Sequence, residues 1–300
     1  MFRVTLIVFT LSLLSACVQN PESSRPPPFA DIHLHYSWRH EEVIDPDTAV
    51  DILEKNNVVL ASVSSEPTAY ALKLADAGGN WIIPFASPYY QPGSRSSWYY
   101  DRKTIPELRK ELETGRYGGI GEVHLTPGIG PRLDSPQFTG LIELAREFQL
   151  PFLIHTNAGD YHYFESICTQ YKDIRFIWAH AGGELQPDQL EPLMQSCPNN
   201  VWLDLTARDP WHYGHLTEED GKLLPGWREL IIRYQDRVMT GTDPVWNAHQ
   251  SYRWYESDEG WDHYDQLIQF HRNWMQQLPP DVEEKVRLTN ALHFFGREKP

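Results

Sequence analysis

Eight short apolar runs recur along the 300-residue chain, and most are separated by a segment with helical spacing. The runs are FADIHLH (29–35), VVLASVS (58–64), WIIPFAS (81–87), YGGIGEVHL (117–125), PFLIHTN (151–157), IRFIWAHAG (174–182), VWLDLTA (201–207) and RVMTGTD (237–243). Their length and β-branched content read as buried strands. The segments between them carry helix signals. DPDTAVDILEKNN opens on Asp or Thr caps ahead of Val50, Ile52 and Leu53, and TIPELRKELETG opens on a Thr cap with Pro106 in its first turn and stops at Gly115. Strand then helix, eight times over, predicts parallel strands joined by right-handed crossovers. At this length it predicts an α/β fold, a closed (β/α)8 TIM barrel as a single domain over residues 29–296. An open doubly wound sheet is the other architecture, but GGIGEV ends in Val and fails the Gly-rich phosphate-loop pattern.

Polar residues gather at one end of these strands. His33 and His35 close the first, Glu122 and His124 the fourth, His155 the fifth, His180 the sixth and Asp243 the eighth. Residues two apart on a strand share a face, so His33 and His35 aim at one point, and Ile120, Glu122 and His124 are expected to share another face. On the seventh strand Asp204 and Thr206 are expected to point inward, with Leu203 and Leu205 outward. The carboxyl ends of barrel strands meet at one mouth, which is where barrel active sites lie. Imidazole and carboxylate together are ligands for zinc, manganese or iron. Pro244 is expected to hold Asp243 extended at that mouth.

With these residues in place, the chain resembles the amidohydrolase superfamily. DIHLH, FLIHT, IWAHAGG, VWLDLTA, RVMTGTDP and LTNALHFFG resemble its amidohydrolase-2 branch, which includes the aminocarboxymuconate-semialdehyde decarboxylases. The resemblance covers 29–296 and implies a metal-dependent enzyme. It implies His33, His35, His155 and Asp243 as metal ligands, and His180 as a ligand or a group acting beside the metal. Asp243 and His180 are the implied catalytic pair.

Three positions stay open. Glu122 is a ligand of a second ion or a partner outside the coordination shell. His124 faces the substrate or lies on the rim. Arg208 binds a substrate carboxylate or is a surface charge. The favoured function is hydrolysis of an ester, lactone, amide or phosphoester of a small molecule by metal-activated water, with one or two divalent ions, zinc before manganese or iron. A decarboxylase with the same ligands is the alternative, and a non-catalytic ligand-binding lipoprotein is the third reading. The loops after strands three, seven and eight are rich in Trp and Tyr, which suits a ring-bearing substrate.

Residues 1–17, MFRVTLIVFTLSLLSAC, join a basic start to an apolar run too short to span a membrane. LSAC resembles a bacterial lipobox, which implies lipidation of Cys17 and, with Val18 rather than Asp following, an outer-membrane anchor on the periplasmic face. An ordinary signal peptide is the other reading. Residues 18–28, VQNPESSRPPP, read as a Pro-rich tether. The net charge of −15 opposes nucleic-acid binding. In an oxidising compartment Cys168 and Cys197 are candidates for a disulfide.

Overall fold

The computed structural model describes residues 25–127, 130–156, 160–210, 212–245 and 260–299. The lipobox with Cys17, the first part of the tether and most of the loop after the eighth strand lie outside the described residues. The strands are β1 Phe29–His35, β2 Val58–Ser64, β3 Ile82–Ala86, β4 Gly119–Leu125, β5 Phe152–Thr156, β6 Phe176–Trp178, β7 Val201–Asp204 and β8 Val238–Met239. All pair in parallel in the order β1 to β8. The sheet closes on itself where the Ile32 N–H donates to the Thr240 carbonyl (3.2 Å) and the Asp243 N–H donates to the His33 carbonyl (2.9 Å). The chain is a (β/α)8 barrel.

The helices are α1 Trp38–Glu41, α2 Pro46–Lys55, α3 Tyr70–Gly78, α4 Thr104–Glu113, α5 Pro136–Glu147, α6 His162–Gln170, α7 Pro187–Ser196, α8 Pro225–Arg233, α9 Tyr264–Met275, α10 Pro280–Glu284 and α11 Asn290–Phe294. Capping chemistry fixes several starts. Asp45 accepts the Thr48 N–H (2.9 Å) ahead of α2, and Ser135 accepts the Phe138 N–H (3.3 Å) ahead of α5, each followed by a proline. Thr104 departs from its expected role. Its hydroxyl donates to the Trp98 carbonyl (2.7 Å), and Lys103 takes the cap position.

Two apolar layers follow from strand alternation. Phe29, Leu34, Val63, Val123, Leu203 and Leu205 face the helices. Ala30, Ile32, Leu60, Ile83, Phe85, Leu153, Ile177 and Met239 fill the barrel, and α11 caps that filling with Ala291, Leu292 and Phe294. Two strands break the alternation. The β1–β2 register shifts between Asp31 and Leu34, and the β4–β5 register shifts between Ile120 and Val123. A bulge inserts one residue and re-aims the side chains beyond it. Ile120 therefore packs outward with Val123, and the expectation that it shares a face with Glu122 and His124 fails. Gly121 makes the second bulge possible. Its φ of 133° suits glycine, and a Cβ there would meet the Leu153 carbonyl oxygen at 2.5 Å.

The tether's end is docked at the amino-terminal end of β1. Pro26 O accepts from Asn57 Nδ2 (2.7 Å), Pro27 O from Arg272 (2.8 Å) and Pro28 O from Arg287. Among the described residues no helix is long and apolar enough to cross a membrane.

Cys168 of α6 and Cys197 after α7 form a disulfide across 29 residues of sequence. A loop of that size is worth ~3–4 kcal/mol in the chain-entropy model. Protein beginning at residue 18 should show no reactive thiol when native and unreduced; titration of two free thiols would contradict the bond.

Candidate metal centre

The bulge in β1 turns both His33 and His35 into the mouth, and hydrogen bonds fix which nitrogen each presents. His33 Nδ1 lies 2.6 Å from Asp204 Oδ2, His35 Nδ1 lies 3.2 Å from the Ser64 carbonyl and His180 Nδ1 lies 3.0 Å from the Thr206 carbonyl. Carboxylate and carbonyl oxygens only accept, so each Nδ1 carries the hydrogen and each neutral ring offers a bare Nε2. Those nitrogens converge. His33 Nε2 is 3.2 Å from His35 Nε2 and 3.6 Å from Glu122 Oε1. His35 Nε2 is 3.3 Å from both Glu122 Oε2 and Asp243 Oδ1. His180 Nε2 is 3.6 Å from Glu122 Oε1 and 3.8 Å from Asp243 Oδ2.

Two nitrogen lone pairs at such a distance repel unless a cation lies between them. A proton on one ring relieves a single contact; a metal ion relieves the whole set. Tetrahedral ligands ~2.0–2.1 Å from zinc stand roughly 3.3–3.4 Å apart, which is the spacing these donors adopt. Asp243 Oδ1, buried and accepting no hydrogen bond among the described residues, is a further donor without a donor-hydrogen to receive. The residues fit a divalent metal.

Electrostatics follow from this crowding. Burial pulls the His33 pKa down, but the carboxylates of Glu122, Asp204 and Asp243 outweigh it and hold it well above its ordinary value. Burial pushes Glu122 up, yet His124, His155 and His33 hold it well below the usual carboxylate range. Burial drives His124 down to about 3, and His180 down as well. Asp204 accepts from the Thr206 N–H (2.9 Å) and hydroxyl as well as from His33, so it fixes the His33 ring from outside the donor set.

β6 and β8 end earlier than the apolar runs. His180 sits in a turn, Ala179–Gly182, with φ of 55°, followed by Ala181 at 44°, and Asp243 has φ of 49°. The expectation of an extended Asp243 is thus corrected. Its N–H is spent closing the barrel on His33, and the left-handed backbone, which Asp tolerates, turns the chain into Pro244. Such residues cost on the order of 1 kcal/mol or more and persist where neighbours hold them. Gly241 permits this approach, since a Cβ would lie 2.6 Å from the His33 nitrogen.

Arg208 holds the other turn. It is wholly buried, and its guanidinium donates to the carbonyls of His180 (2.7 Å), Ala181 (3.2 Å), Leu185 (2.8 Å) and Gly214 (2.9 Å) while lying 4.4 Å over Trp227. Burial lowers its pKa to about 9, so it stays charged at neutral pH. The expectation of a substrate-binding Arg208 is corrected: its donors are committed to backbone.

His124 lies with Nε2 3.0 Å from Glu122 Oε2, and His155 with Nδ1 2.8 Å from Glu122 Oε1. Tyr213 was not singled out by sequence, and its ring covers His180 at 4.7 Å and His155 at 6.0 Å. Only its place in an aromatic-rich loop hinted at it.

Convergent imidazoles and carboxylates at the mouth of a (β/α)8 barrel are the donor set of a metal-dependent enzyme. The family model described as Amidohydrolase (Amidohydro_2) matches residues 30–297, and the chain belongs to that family. No curated protein sequence matches it. Solved structures share the fold at low identity. An Escherichia coli phosphotriesterase homology protein complexed with phosphate is 11% identical, with 90% of this chain and 99% of that one covered and a TM-score of 0.59. A probable 2-pyrone-4,6-dicarboxylic acid hydrolase from Acinetobacter baumannii with citric acid bound is 12% identical (89% and 99% covered, TM-score 0.55). A zinc-bound amidohydrolase from Burkholderia multivorans is 12% identical (90% and 100% covered, TM-score 0.52).

Replacing Arg208 by Met leaves four buried carbonyls short of a donor. The variant should lose about 3–5 kcal/mol of stability in denaturant unfolding. A variant as stable as wild type, with only substrate affinity reduced, would restore the substrate role.

Proposed function

We propose that the protein hydrolyses an ester, lactone, amide or phosphoester of a small molecule at a centre of two divalent ions, with zinc as the first candidate. The observation that supports this most is the convergence of hydrogen-free Nε2 atoms from His33, His35 and His180 on the carboxylates of Glu122 and Asp243. The metal would be held by His33, His35, Glu122, His155, His180 and Asp243. When bound, it supplies a water of pKa ~7 and polarises the substrate oxygen. The chain's own residues do the rest. Asp204 holds the His33 ring in one tautomer, Ser64 and Thr206 do the same for His35 and His180, and Glu122 stays ionised beside them. Asp243 accepts the proton of the attacking water and returns it to the leaving group, with His180 as the neighbouring base. Tyr213 walls the mouth over His180 and His155 and offers a flat face to a substrate ring.

The decarboxylase reading relied on Arg208 to hold a carboxylate, and that side chain is engaged elsewhere. A binding module without catalysis would be short of ligands, and every proposed ligand reaches the mouth.

We place the enzyme on the bacterial envelope through a lipid on Cys17, as the LSAC motif implies. The tether docks at the amino-terminal end of β1, so the mouth would face away from the membrane. The protein should fractionate with membranes, and Cys17→Ser should release it; a Cys17→Ser form still fully membrane-bound would contradict the anchor.

Asp243→Asn keeps the size and one oxygen but loses the proton acceptor. It should fold, retain most of its metal and turn over about 10²–10⁴-fold more slowly. Wild-type turnover in a metal-loaded variant would move proton transfer to His180.

A further inference from the structure

Arg95 lies in the loop between β3 and α4, on the mouth side of the barrel, and takes no part in the donor set. Glu66, just past β2, holds it at two points. Its Oε1 accepts the Arg95 backbone N–H (3.3 Å), and its Oε2 stands 3.4 Å from Arg95 Nε. Glu66 is itself buried and fixed. Its N–H donates to Ser37 Oγ (3.0 Å), and its carbonyl accepts from the Trp38 N–H (3.2 Å). The Arg95 guanidinium lies 5.9 Å from the centre of the Tyr89 ring. Tyr89 stands edge-on to His124, whose N–H donates to the Tyr89 hydroxyl (2.9 Å), and His124 Nε2 lies against Glu122. Contacts therefore run from Arg95 to the donor set through two side chains. Arg95 Nε is buried on the Glu66 side, while the side chain keeps 40% exposure.

We propose that Arg95 is a specificity-determining residue: it receives a carboxylate on the substrate, and that carboxylate is separate from the bond hydrolysed. The proposal deepens the hydrolase reading and rests on it. A surface of net charge −15 repels anions at long range, so an anionic substrate needs a cation fixed at the mouth. Arg208 does not serve, because its guanidinium is spent on four carbonyls. The charge of Arg95 is felt around the opening. Burial drives His40 down and His124 down to about 3, and Arg95 adds to both effects. Burial pushes the Tyr89 and Tyr213 hydroxyls up, and Arg95 opposes the rise in each. These groups stand on α1, in the loop after β3, on β4 and in the loop after β7, so one cation acts on four sides of the mouth. A guanidinium fork matches a carboxylate in shape and charge. The neighbouring Glu66 opposes a phosphate dianion more than a carboxylate monoanion. Tyr89 and His124 separate Arg95 from Glu122, which keeps the bound anion away from the reacting bond. A carboxylate that is itself lost in the reaction would have to sit at the donors.

The competing role for Arg95 is to anchor its loop on Glu66 and nothing more. The full-length protein, extracted in detergent and loaded with zinc, is assayed on esters, lactones and amides supplied as matched pairs. One member of each pair carries a carboxylate and the other a carboxamide in its place, as in 4-carboxyphenyl acetate and 4-carbamoylphenyl acetate. Calorimetry with 4-hydroxybenzoate and 4-hydroxybenzamide, the products of that pair, reads binding without turnover. Wild type should prefer the carboxylate member by roughly 10–100-fold in kcat/KM, chiefly through KM, with the same preference in binding. In Arg95→Gln, shown to be folded by circular dichroism, the preference should disappear; Arg95→Lys, which keeps the charge, should retain part of it. A preference that persists in Arg95→Gln, activity that falls equally on both members, or no preference in wild type would overturn the proposal. If no pair is turned over but the binding preference is present and lost in Arg95→Gln, the hydrolase reading fails and the carboxylate site stands. With neither turnover nor a binding preference, both fail.

Discussion

Two imidazole nitrogens 3.2 Å apart, each on a ring whose other nitrogen donates elsewhere, form a contact that needs a metal ion or a shared proton between them. Much of this barrel is arranged to hold that contact. Asp204 and the carbonyls of Ser64 and Thr206 take the Nδ1 hydrogens and so force the bare nitrogens inward. Glu122 and Asp243 approach from the other strands and raise the negative potential at the same point. Without a bound cation the carboxylates are compensated by the imidazoles alone, and His33 is the ring they drive toward protonation.

The backbone departs from regular barrel geometry where these ligands stand. The β1 shift between Asp31 and Leu34 spans His33, and the β4 shift between Ile120 and Val123 spans Glu122. His180 and Asp243 instead occupy left-handed turns past the last paired residues of β6 and β8. Regular strands would present alternate residues at fixed spacing; the bulges and turns aim six side chains at one small volume. Arg208 and Gly241 underwrite the turns. The first ties four carbonyls around His180, and the second lets β8 close against β1.

The barrel was legible in the sequence because eight apolar runs and their helical spacers carry period information that survives without coordinates. The positions of His33, His35, Glu122, His155, His180 and Asp243 were legible because a barrel brings strand ends together. The bulges were not. Whether Ile120 shares a face with Glu122 depends on one inserted residue, and only the partner strand reveals the shift. Arg208 was misread because a loop arginine looks the same in sequence whether it meets solvent, substrate or four carbonyls. The cap before α4 failed for a similar reason, since the Thr104 hydroxyl found the Trp98 carbonyl in a loop whose path the sequence does not specify.

Metal-dependent hydrolysis is the central property of this site, and removal of the metal tests it most directly. The purified protein is stripped with a chelator and assayed on the best substrate from a panel of esters, lactones, amides and phosphoesters, before and after zinc or manganese is restored. The structure predicts that turnover falls to background in the stripped protein and returns with the ion. Undiminished turnover in protein shown to contain no metal would contradict it.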